Sequence, residues 1–425
     1  MLKRHMNAQS ILILYLILFS VKFIWEIFLE LRNQSHVRKN RKNPREFVRS
    51  IMDEETFEKA SEYTLAKSRF SIFSSFFSSV FLLAIILSGF LGWLESVVSS
   101  FGFSTSTNGI IYIFTVSIIF TLFSMPFSIY SQFVIEEKYG FNKMTPKLFL
   151  IDLIKSLIIS AVLMVPILYL LFWFMSSTGS LWWIYAFIAF SIFQLLLIII
   201  YPNVIAPIFN KFTPMEEGTL KKSIFELAGK LKFYVKNIFV MDGSKRSSHS
   251  NAYFTGLGKS KRIVLFDTLI NNMNKEELIG VLAHEIGHEK KKHVIKNLTF
   301  SLISILAGFW IMSLILYYKP FYHAFNFNSY SFHAAIILLM FCAGPFTFFL
   351  KPLLAVLSRK YEYEADQFAV NAVNSVSGLK SALINLSRKN LSNITPDPLY
   401  SFYHYSHPTL FERIKALEQI ELYEQ

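Results

Sequence analysis

The chain of 425 residues is poor in charged side chains and in cysteine. Only 17% of its residues are Asp, Glu, Lys or Arg, against about 25% in a typical soluble protein, which excludes a disordered, charge-rich chain. The single cysteine, Cys342, excludes an intrachain disulfide and therefore a disulfide-stapled secreted domain. The 16 glycines are far too few for a collagen.

Apolar residues are what the chain has in abundance. They form 53% of the sequence, 45 residues are phenylalanine, and the mean hydropathy is +0.41. One water-soluble fold could not bury so many large apolar side chains. The composition therefore predicts a polytopic membrane protein and argues against an ordinary soluble enzyme.

Seven segments are long and apolar enough to cross a bilayer, which takes roughly 20 mostly apolar residues. They are approximately Ile11–Glu30, Phe70–Leu94, Ile110–Gln132, Ser156–Met175, Leu181–Tyr201, Leu298–Tyr318 and Phe332–Leu357. The first segment is long, and no small-x-small cleavage site follows it. We therefore expect it to be a helix of the mature protein and not a signal peptide.

The net charge of +13 is distributed unevenly among the loops between these segments. Of the 42 Lys and Arg residues, 36 lie on one side of the predicted membrane and three on the other. The positive-inside rule places the basic side in the cytosol and the N-terminus outside. The three large pieces 31–69, 202–297 and 358–425 therefore face the cytosol. No nucleic-acid recognition motif accompanies the charge, so we expect no nucleic-acid partner.

The cytosolic piece 202–297 has the patterns of a small folded domain. Residues 215–232 have the apolar spacing of a helix. Short apolar runs predict strands at Asn237–Met241, Asn251–Phe254 and Ile263–Phe266. Asn274 is a suitable N-cap followed by two glutamates, which predicts a helix from there to about Lys292.

That last helix carries His284-Glu285-Ile286-Gly287-His288, an H-E-x-x-H motif. Two histidines four residues apart share one helix face, so their ring nitrogens can converge on one ion. Zinc suits the pair because it binds neutral imidazole and lowers the pKa of a bound water to about 7. Glu285 is placed to take the proton of that water as general base.

A catalytic zinc usually has three protein ligands, so one more must come from elsewhere in the chain. The best candidates follow the seventh span, where Glu362 and Asp366 are four residues apart and share a helix face. One would be a ligand, and the other would accept a hydrogen bond at the same site. Glu364 points about 160° away from Glu362 on a helix, so the spacing favours one of these two glutamates and not both.

Taken together, these motifs resemble the type I CAAX prenyl proteases, a family of seven-span membrane zinc metalloproteases. The resemblance is nearly full-length and includes residues 245–256, 261–268, 281–288, 358–366 and 403–414. It implies a mainly α fold in which seven transmembrane helices enclose a water-filled chamber. A cytosolic zincin-like α+β domain would carry the catalytic site.

The resemblance also implies a role for each matching residue. His284, His288 and Glu362 would bind one Zn²⁺ per chain, and Glu285 would be the base. Asp366 would accept a hydrogen bond from a ligand imidazole and so fix its tautomer.

Other matching residues would handle the substrate. His407 would stabilise the tetrahedral oxyanion with support from Arg413. Asn251, Ala252 and Tyr253 lie in the segment that matches the family's edge strand, which would pair with extended substrate. Three nearby histidines match no ligand position, and we expect them to be surface or supporting residues: His249, His293 and His404.

Four segments with distinct tasks are expected. They are 1–201 with spans 1–5 and the loop 31–69, 202–297 with the H-E-x-x-H helix, 298–357 with spans 6 and 7, and 358–425, which completes the zinc site.

Glu289 stands where many eukaryotic members carry an aromatic residue, and the loop 319–331 is short. These departures leave a bacterial member open.

The leading functional hypothesis is a metalloendopeptidase that uses zinc-activated water to cut peptide or protein substrates near the C-terminus, with or without prenylation. One alternative has the same chemistry but acts in membrane-protein quality control. A remote alternative is a non-catalytic seven-span transporter or receptor. We expect a multi-pass protein in contact with membrane lipid, in the endoplasmic reticulum of a eukaryote or the cytoplasmic membrane of a bacterium. The oligomeric state is left open.

Overall fold

The computed structural model describes residues 6–256 and 261–424. Within these ranges the chain forms 17 α-helices and one four-stranded sheet. In chain order the helices are α1 (Ala8–Lys42), α2 (Glu46–Ile51), α3 (Glu54–Leu87), α4 (Phe90–Ser99), α5 (Thr105–Tyr130), α6 (Pro146–Ser177), α7 (Trp182–Ile200), α8 (Ala206–Phe209), α9 (Thr219–Lys230), α10 (Asp267–Asn272), α11 (Lys275–Lys290), α12 (His293–Ile315), α13 (Lys319–His323), α14 (Phe332–Val373), α15 (Ser377–Lys389), α16 (Pro398–His404) and α17 (Leu410–Glu424). The strands are β1 (Phe212–Pro214), β2 (Asn237–Met241), β3 (Ala252–Thr255) and β4 (Arg262–Phe266).

Seven helices of the described residues are long and apolar enough to span a membrane, which confirms the seven predicted spans. They are α1, α3, α5, α6, α7, α12 and α14. Short π-helical turns continue α5 over Ser131–Glu136 and α7 over Tyr201–Ile205. Large apolar side chains such as Val162 and Leu353 remain exposed on these helices. Such exposure is expected where the surrounding solvent is hydrocarbon.

The second span ends earlier than predicted. We expected it to continue to Leu94, but α3 ends at Leu87 and α4 begins at Phe90. The break lies at Gly89, whose φ of +75° is open to glycine because it has no Cβ. Residues on both sides of the turn are equally apolar, so hydropathy alone does not reveal it.

Several charged residues inside the spans are paired with charged partners. Lys22 and Glu26, one turn apart on α1, form an ion pair with 2.9 Å between Nζ and Oε2. On α6, Asp152 accepts two hydrogen bonds from Arg246, at 2.8 and 3.1 Å. This pairing lets α6 begin before Asp152, which the predicted span had excluded. It also ties the membrane bundle to the segment between β2 and β3.

The small sheet has the strand order β1-β2-β4-β3. Strands β2 and β4 are parallel, whereas β1 pairs antiparallel with β2 and β3 pairs antiparallel with β4. The structure has the strand predicted at 237–241, starts β4 one residue earlier than predicted and shifts β3 one residue later. β1 was missed because three residues ending in proline show no strand period. Within the described ranges, β3 is an edge strand.

Helix α11 begins where it was predicted. The Asn274 side chain accepts a hydrogen bond from the Glu277 N–H at 2.9 Å, and the Glu277 carboxylate accepts one from the Asn274 N–H at 3.0 Å. This reciprocal capping box satisfies two backbone donors. The helix ends at Lys290, two residues early, because the chain turns at Lys292 with φ of +59° into α12. Helix α9 likewise covers only part of the predicted 215–232.

Two glycines let α11 approach its neighbours closely. A Cβ added at Gly280 would lie 2.7 Å from the backbone nitrogen of Leu379 on α15. One added at Gly287 would lie 3.1 Å from the backbone of Ala365 on α14. Buried apolar side chains such as Ile286 fill the rest of the contact. The close packing places the H-E-x-x-H motif beside the end of α14 that follows the membrane span.

Candidate metal centre

Helices α11 and α14 bring two histidines and a glutamate to one point. The Nε2 atoms of His284 and His288 lie 3.1 Å apart. Glu362 Oε2 lies 3.5 Å from His284 Nε2, and Glu362 Oε1 lies 3.4 Å from His288 Nε2. One ligand atom from each residue lies within 4.8 Å of the others, so the three could hold a metal ion. Helix spacing allowed only one of Glu362 and Glu364 to reach the site, and Glu362 is the one that lies there.

The donor set fits a cation. Glu362 Oε2 is buried and has no hydrogen-bond partner among the described residues, a cost that a bound cation would remove. Burial lowers the pKa of His284, but the carboxylates of Asp366 and Glu362 outweigh burial and raise that pKa to about 9. The site therefore favours a positive charge between its side chains. Two imidazoles with one carboxylate are a ligand set of catalytic zinc.

A buried carboxylate holds His284 from behind. Asp366 Oδ1 lies 2.7 Å from His284 Nδ1. Asp366 also accepts two hydrogen bonds from Arg413, from Nε at 2.9 Å and from Nη2 at 2.5 Å. Arg413 Nη1 lies 3.8 Å from Glu362 Oε2. The guanidinium thus supplies positive charge to both carboxylates and is itself buried.

Glu285 and His407 lie around the same point. Glu285 follows His284 on α11, and burial raises the pKa of its carboxyl although His284 and His288 oppose that shift. His407, in the loop between α16 and α17, places its Nε2 3.4 Å from Glu362 Oε1. The His407 side chain is 63% exposed, so an incoming ligand can reach it.

Comparison with known proteins assigns the chain to a family. Residues 33–211 match the family described as CAAX prenyl protease N-terminal, five membrane helices. Residues 214–421, which contain all the side chains of the centre, match peptidase family M48. The chain belongs to peptidase family M48. It is a membrane-embedded metalloendopeptidase with several transmembrane helices, and its substrates are peptides or proteins.

Individual M48 relatives are similar over nearly the whole chain. CAAX prenyl protease 1 of Saccharomyces cerevisiae is 39% identical over 94% of this chain and 93% of its own length. The CAAX prenyl protease 1 homolog of Homo sapiens is 35% identical with the same coverage, 94% and 93%. The crystal structure of S. mikatae Ste24p has a TM-score of 0.91 and 37% identity, covering 97% of this chain and 100% of that one. The shared fold confirms the expected mainly α membrane architecture with a small sheet.

The residues expected to bind substrate in this M48 peptidase lie at the edge of the sheet. Ala252 and Tyr253 belong to β3, and Asn251 immediately precedes it. The Asn251 carbonyl accepts a hydrogen bond from the Phe266 N–H at 3.0 Å, which fastens the start of β3 to β4. An edge strand presents backbone groups with which an extended peptide can pair.

A cavity of about 860 Å³ lies beside the M48 centre, between the membrane bundle and the C-terminal segment. His407 and Arg413 line it on one side, and Glu30 of α1 and Lys67 of α3 line it on the other. Its volume is in the range of ligand-binding pockets. Polar groups of two membrane helices therefore face the same space as the centre.

Two side chains close to the centre were not predicted to act there together. His293 is only 2% exposed, and its Nδ1 lies 3.0 Å from the Nδ1 of His288. Glu364, which helix spacing had set against Glu362, contacts His293 at 3.1 Å. The other two noted histidines contact aromatic rings: His249 stacks on Phe141 with centroids 4.1 Å apart, and His404 lies tilted against Tyr400 with centroids 4.5 Å apart.

Arg359 is a further residue that the sequence did not single out. It lies one turn before Glu362 on α14 and donates hydrogen bonds to three backbone carbonyls of residues 401–405, at 3.5, 3.3 and 2.8 Å. These carbonyls belong to the segment that leads to His407. Because backbone carbonyls leave no signature in a sequence, only the structure reveals this contact.

Proposed function

We propose that this M48 peptidase is a zinc enzyme that cleaves near the C-terminus of prenylated CAAX-type peptides and proteins. The observation that carries the proposal is the convergence of His284, His288 and Glu362 on one point. The substrate class is supported by the relatives named CAAX prenyl protease 1, which match this chain over nearly its whole length.

One zinc ion per chain would be held by the Nε2 atoms of His284 and His288 and by the Glu362 carboxylate. A zinc with three protein ligands keeps a fourth position for water or substrate. When bound, zinc polarises a carbonyl group and lowers the pKa of a water to about 7. Asp366 would accept the Nδ1–H of His284, which would leave Nε2 unprotonated and able to bind the metal.

The chain's own residues move the protons. Glu285 takes a proton from the water whose oxygen attacks the scissile carbonyl carbon. As the carbon–nitrogen bond breaks, Glu285 passes this proton to the leaving amine. His407 donates a hydrogen bond to the carbonyl oxygen as that oxygen gains negative charge. Arg413 supports the site by balancing the charge of Asp366 and Glu362.

The substrate backbone is proposed to pair with the edge strand β3 at Asn251, Ala252 and Tyr253. Pairing of this kind recognises the peptide by its main chain and leaves side-chain selection to the adjoining cavity. The location of β3 at the sheet edge supports this placement.

The centre is proposed to face the cytosol, in the endoplasmic reticulum membrane of a eukaryote or the cytoplasmic membrane of a bacterium, with lipid around the spans. The concentration of 36 of the 42 Lys and Arg residues on one side supports this orientation. Residues 1–201, 202–297, 298–357 and 358–425 would then be its four functional segments.

Cysteine labelling tests the orientation. With Cys342 replaced by serine, Glu58→Cys should react with an impermeant thiol reagent only from the cytosolic side.

Metal content and cleavage assays test the proposed function. Purified wild type should contain about one zinc per chain, and His284→Ala should lose it. Glu285→Gln should keep the zinc and lose at least about 10²-fold in activity, the contribution of a general base. Full activity of Glu285→Gln together with zinc-free wild type would refute the zinc-enzyme mechanism.

The substrate is tested separately with a farnesylated CAAX peptide and its unprenylated twin. We expect faster cleavage of the farnesylated peptide. Equal rates would refute prenyl specificity and favour the same chemistry in membrane-protein quality control.

A further inference from the structure

The two proposed imidazole ligands are held from behind by different partners. His284 Nδ1 contacts a carboxylate directly, with Asp366 Oδ1 2.7 Å away. His288 Nδ1 contacts a second imidazole, the Nδ1 of His293, at 3.0 Å. His293 Nε2 in turn lies 3.1 Å from Glu364 Oε2. Each proposed ligand is therefore linked to a carboxylate through its Nδ1. His284 contacts the Asp366 carboxylate directly, whereas the His293 imidazole lies between His288 and the Glu364 carboxylate.

The protons along this chain of contacts follow from the donors and acceptors. An ionised Glu364 can only accept, so His293 donates its Nε2–H to it. The neutral ring of His293 then has an unprotonated Nδ1, which accepts the Nδ1–H of His288. This leaves His288 Nε2 unprotonated and 3.4 Å from Glu362 Oε1. The contacts thus select the one neutral tautomer of His288 that can bind a metal through Nε2.

The surroundings hold His293 in this arrangement. Its ring stacks on that of Tyr361, with centroids 4.2 Å apart and an interplanar angle of 13°. Lys296 and Lys360 each lie 4.0 Å from the Glu364 carboxylate and hold it between two cations. A buried imidazole with both nitrogens engaged and one face covered has little freedom to rotate.

We propose that His293 and Glu364 are positioning residues that orient His288 and raise the zinc affinity of the centre. The inference rests on the proposed function, because it takes His288 as a zinc ligand. Partners of this kind typically contribute 10- to 100-fold in metal affinity. His293 is also the first residue of α12, so the same contact joins a membrane helix to the H-E-x-x-H helix.

The test measures zinc affinity by competition with a chromophoric chelator, together with the visible spectrum of the Co²⁺-substituted protein. His293→Ala should still take up one zinc per chain at saturation but bind it about 10- to 100-fold more weakly, with an altered Co²⁺ spectrum. Glu364→Gln, which leaves the His293 ring in place, should show a smaller loss in the same direction. The double variant should bind no more weakly than His293→Ala, because the chain of contacts is already broken.

His323→Ala is the matched control, since His323 is an exposed histidine at the end of α13, and it should leave affinity and spectrum unchanged. Wild-type affinity and spectrum in His293→Ala would overturn the inference while leaving the zinc site intact. Zinc that remains bound in His284→Ala and His288→Ala would instead overturn the proposed site. If His293→Ala does not fold, Glu364→Gln decides, and unchanged zinc affinity in that variant overturns the inference.

Discussion

Replacing Gly287 by alanine would show whether the close packing of α11 on α14 sets the geometry of the metal centre. The added Cβ would lie 3.1 Å from both Cα and O of Ala365 and 3.2 Å from Cβ of Phe368. Favourable carbon–carbon contacts are about 3.5–4.0 Å. The Ala365 backbone belongs to a helix of 42 residues and cannot move aside alone. α11 must therefore shift by roughly a few tenths of an ångström.

The stability effect is a balance of two terms. Alanine in place of glycine favours a helix interior by about 1 kcal/mol, whereas overpacking costs about 1–3 kcal/mol. We expect Gly287→Ala to lower the free energy of unfolding by about 1 kcal/mol. Gly229 on α9 is the matched control because a Cβ there has nothing within 4 Å, so Gly229→Ala should stabilise by up to about 1 kcal/mol.

The effect on the metal should be larger than the effect on stability. A shift of α11 moves His284 and His288 relative to Glu362, and zinc sites tolerate only about 0.2 Å in ligand distance. If the overpacking cost of about 1–3 kcal/mol is lost from the free energy of zinc binding, zinc affinity falls about 5- to 150-fold. Chelator competition and thermal unfolding in detergent measure the two quantities. Gly287→Ala that is as stable as Gly229→Ala and binds zinc like wild type would refute the packing argument.

Three further substitutions should have separable outcomes. Asp366→Asn weakens the acceptor for His284 and leaves Arg413 with only the more distant carboxylate of Glu362. Zinc affinity should fall about 10- to 100-fold and the free energy of unfolding by about 3 kcal/mol, measured by chelator competition and thermal unfolding. His407→Ala should keep its zinc while kcat falls about 10²- to 10³-fold in a fluorogenic peptide assay, and an unchanged kcat would exclude His407 as an oxyanion donor. Arg359→Met should lower kcat about tenfold with unchanged zinc content, because methionine removes the donor to the three carbonyls of residues 401–405; wild-type kcat would show that these hydrogen bonds do not position the segment before His407.

The membrane bundle could be predicted from the sequence more completely than the sheet. Hydrocarbon demands long apolar helices, so seven apolar runs were enough to find the spans. The break at Gly89 was missed because a backbone turn changes no hydropathy. β1 was missed because its three residues pair only through a neighbour that is distant in sequence, with Phe212 opposite Met241.

At the metal centre, residue spacing indicates which side chains share a face of one helix but not which side chains of another helix they contact. His284 and His288 could be paired from one motif because four residues make about one turn of a helix. Helix spacing indicated that Glu364 points away from Glu362 on α14. It did not indicate which residue of α12 the Glu364 side chain would contact. Glu364 leaves α14 on the side where it meets His293. The partner of a far-face residue depends on tertiary packing, which spacing does not encode.

The arrangement of these groups explains why Gly287 should be a sensitive position. One helix, α14, carries four groups of the centre and its surroundings: Arg359, Glu362, Glu364 and Asp366. All four follow Pro352, the last proline of that helix, so they lie on one uninterrupted helical stretch whose regular geometry fixes their mutual distances. The distance left to vary is the one between this stretch and α11, across which zinc must be held by two imidazoles and one carboxylate. Gly287 lies in that contact, with no side chain to keep the helices apart.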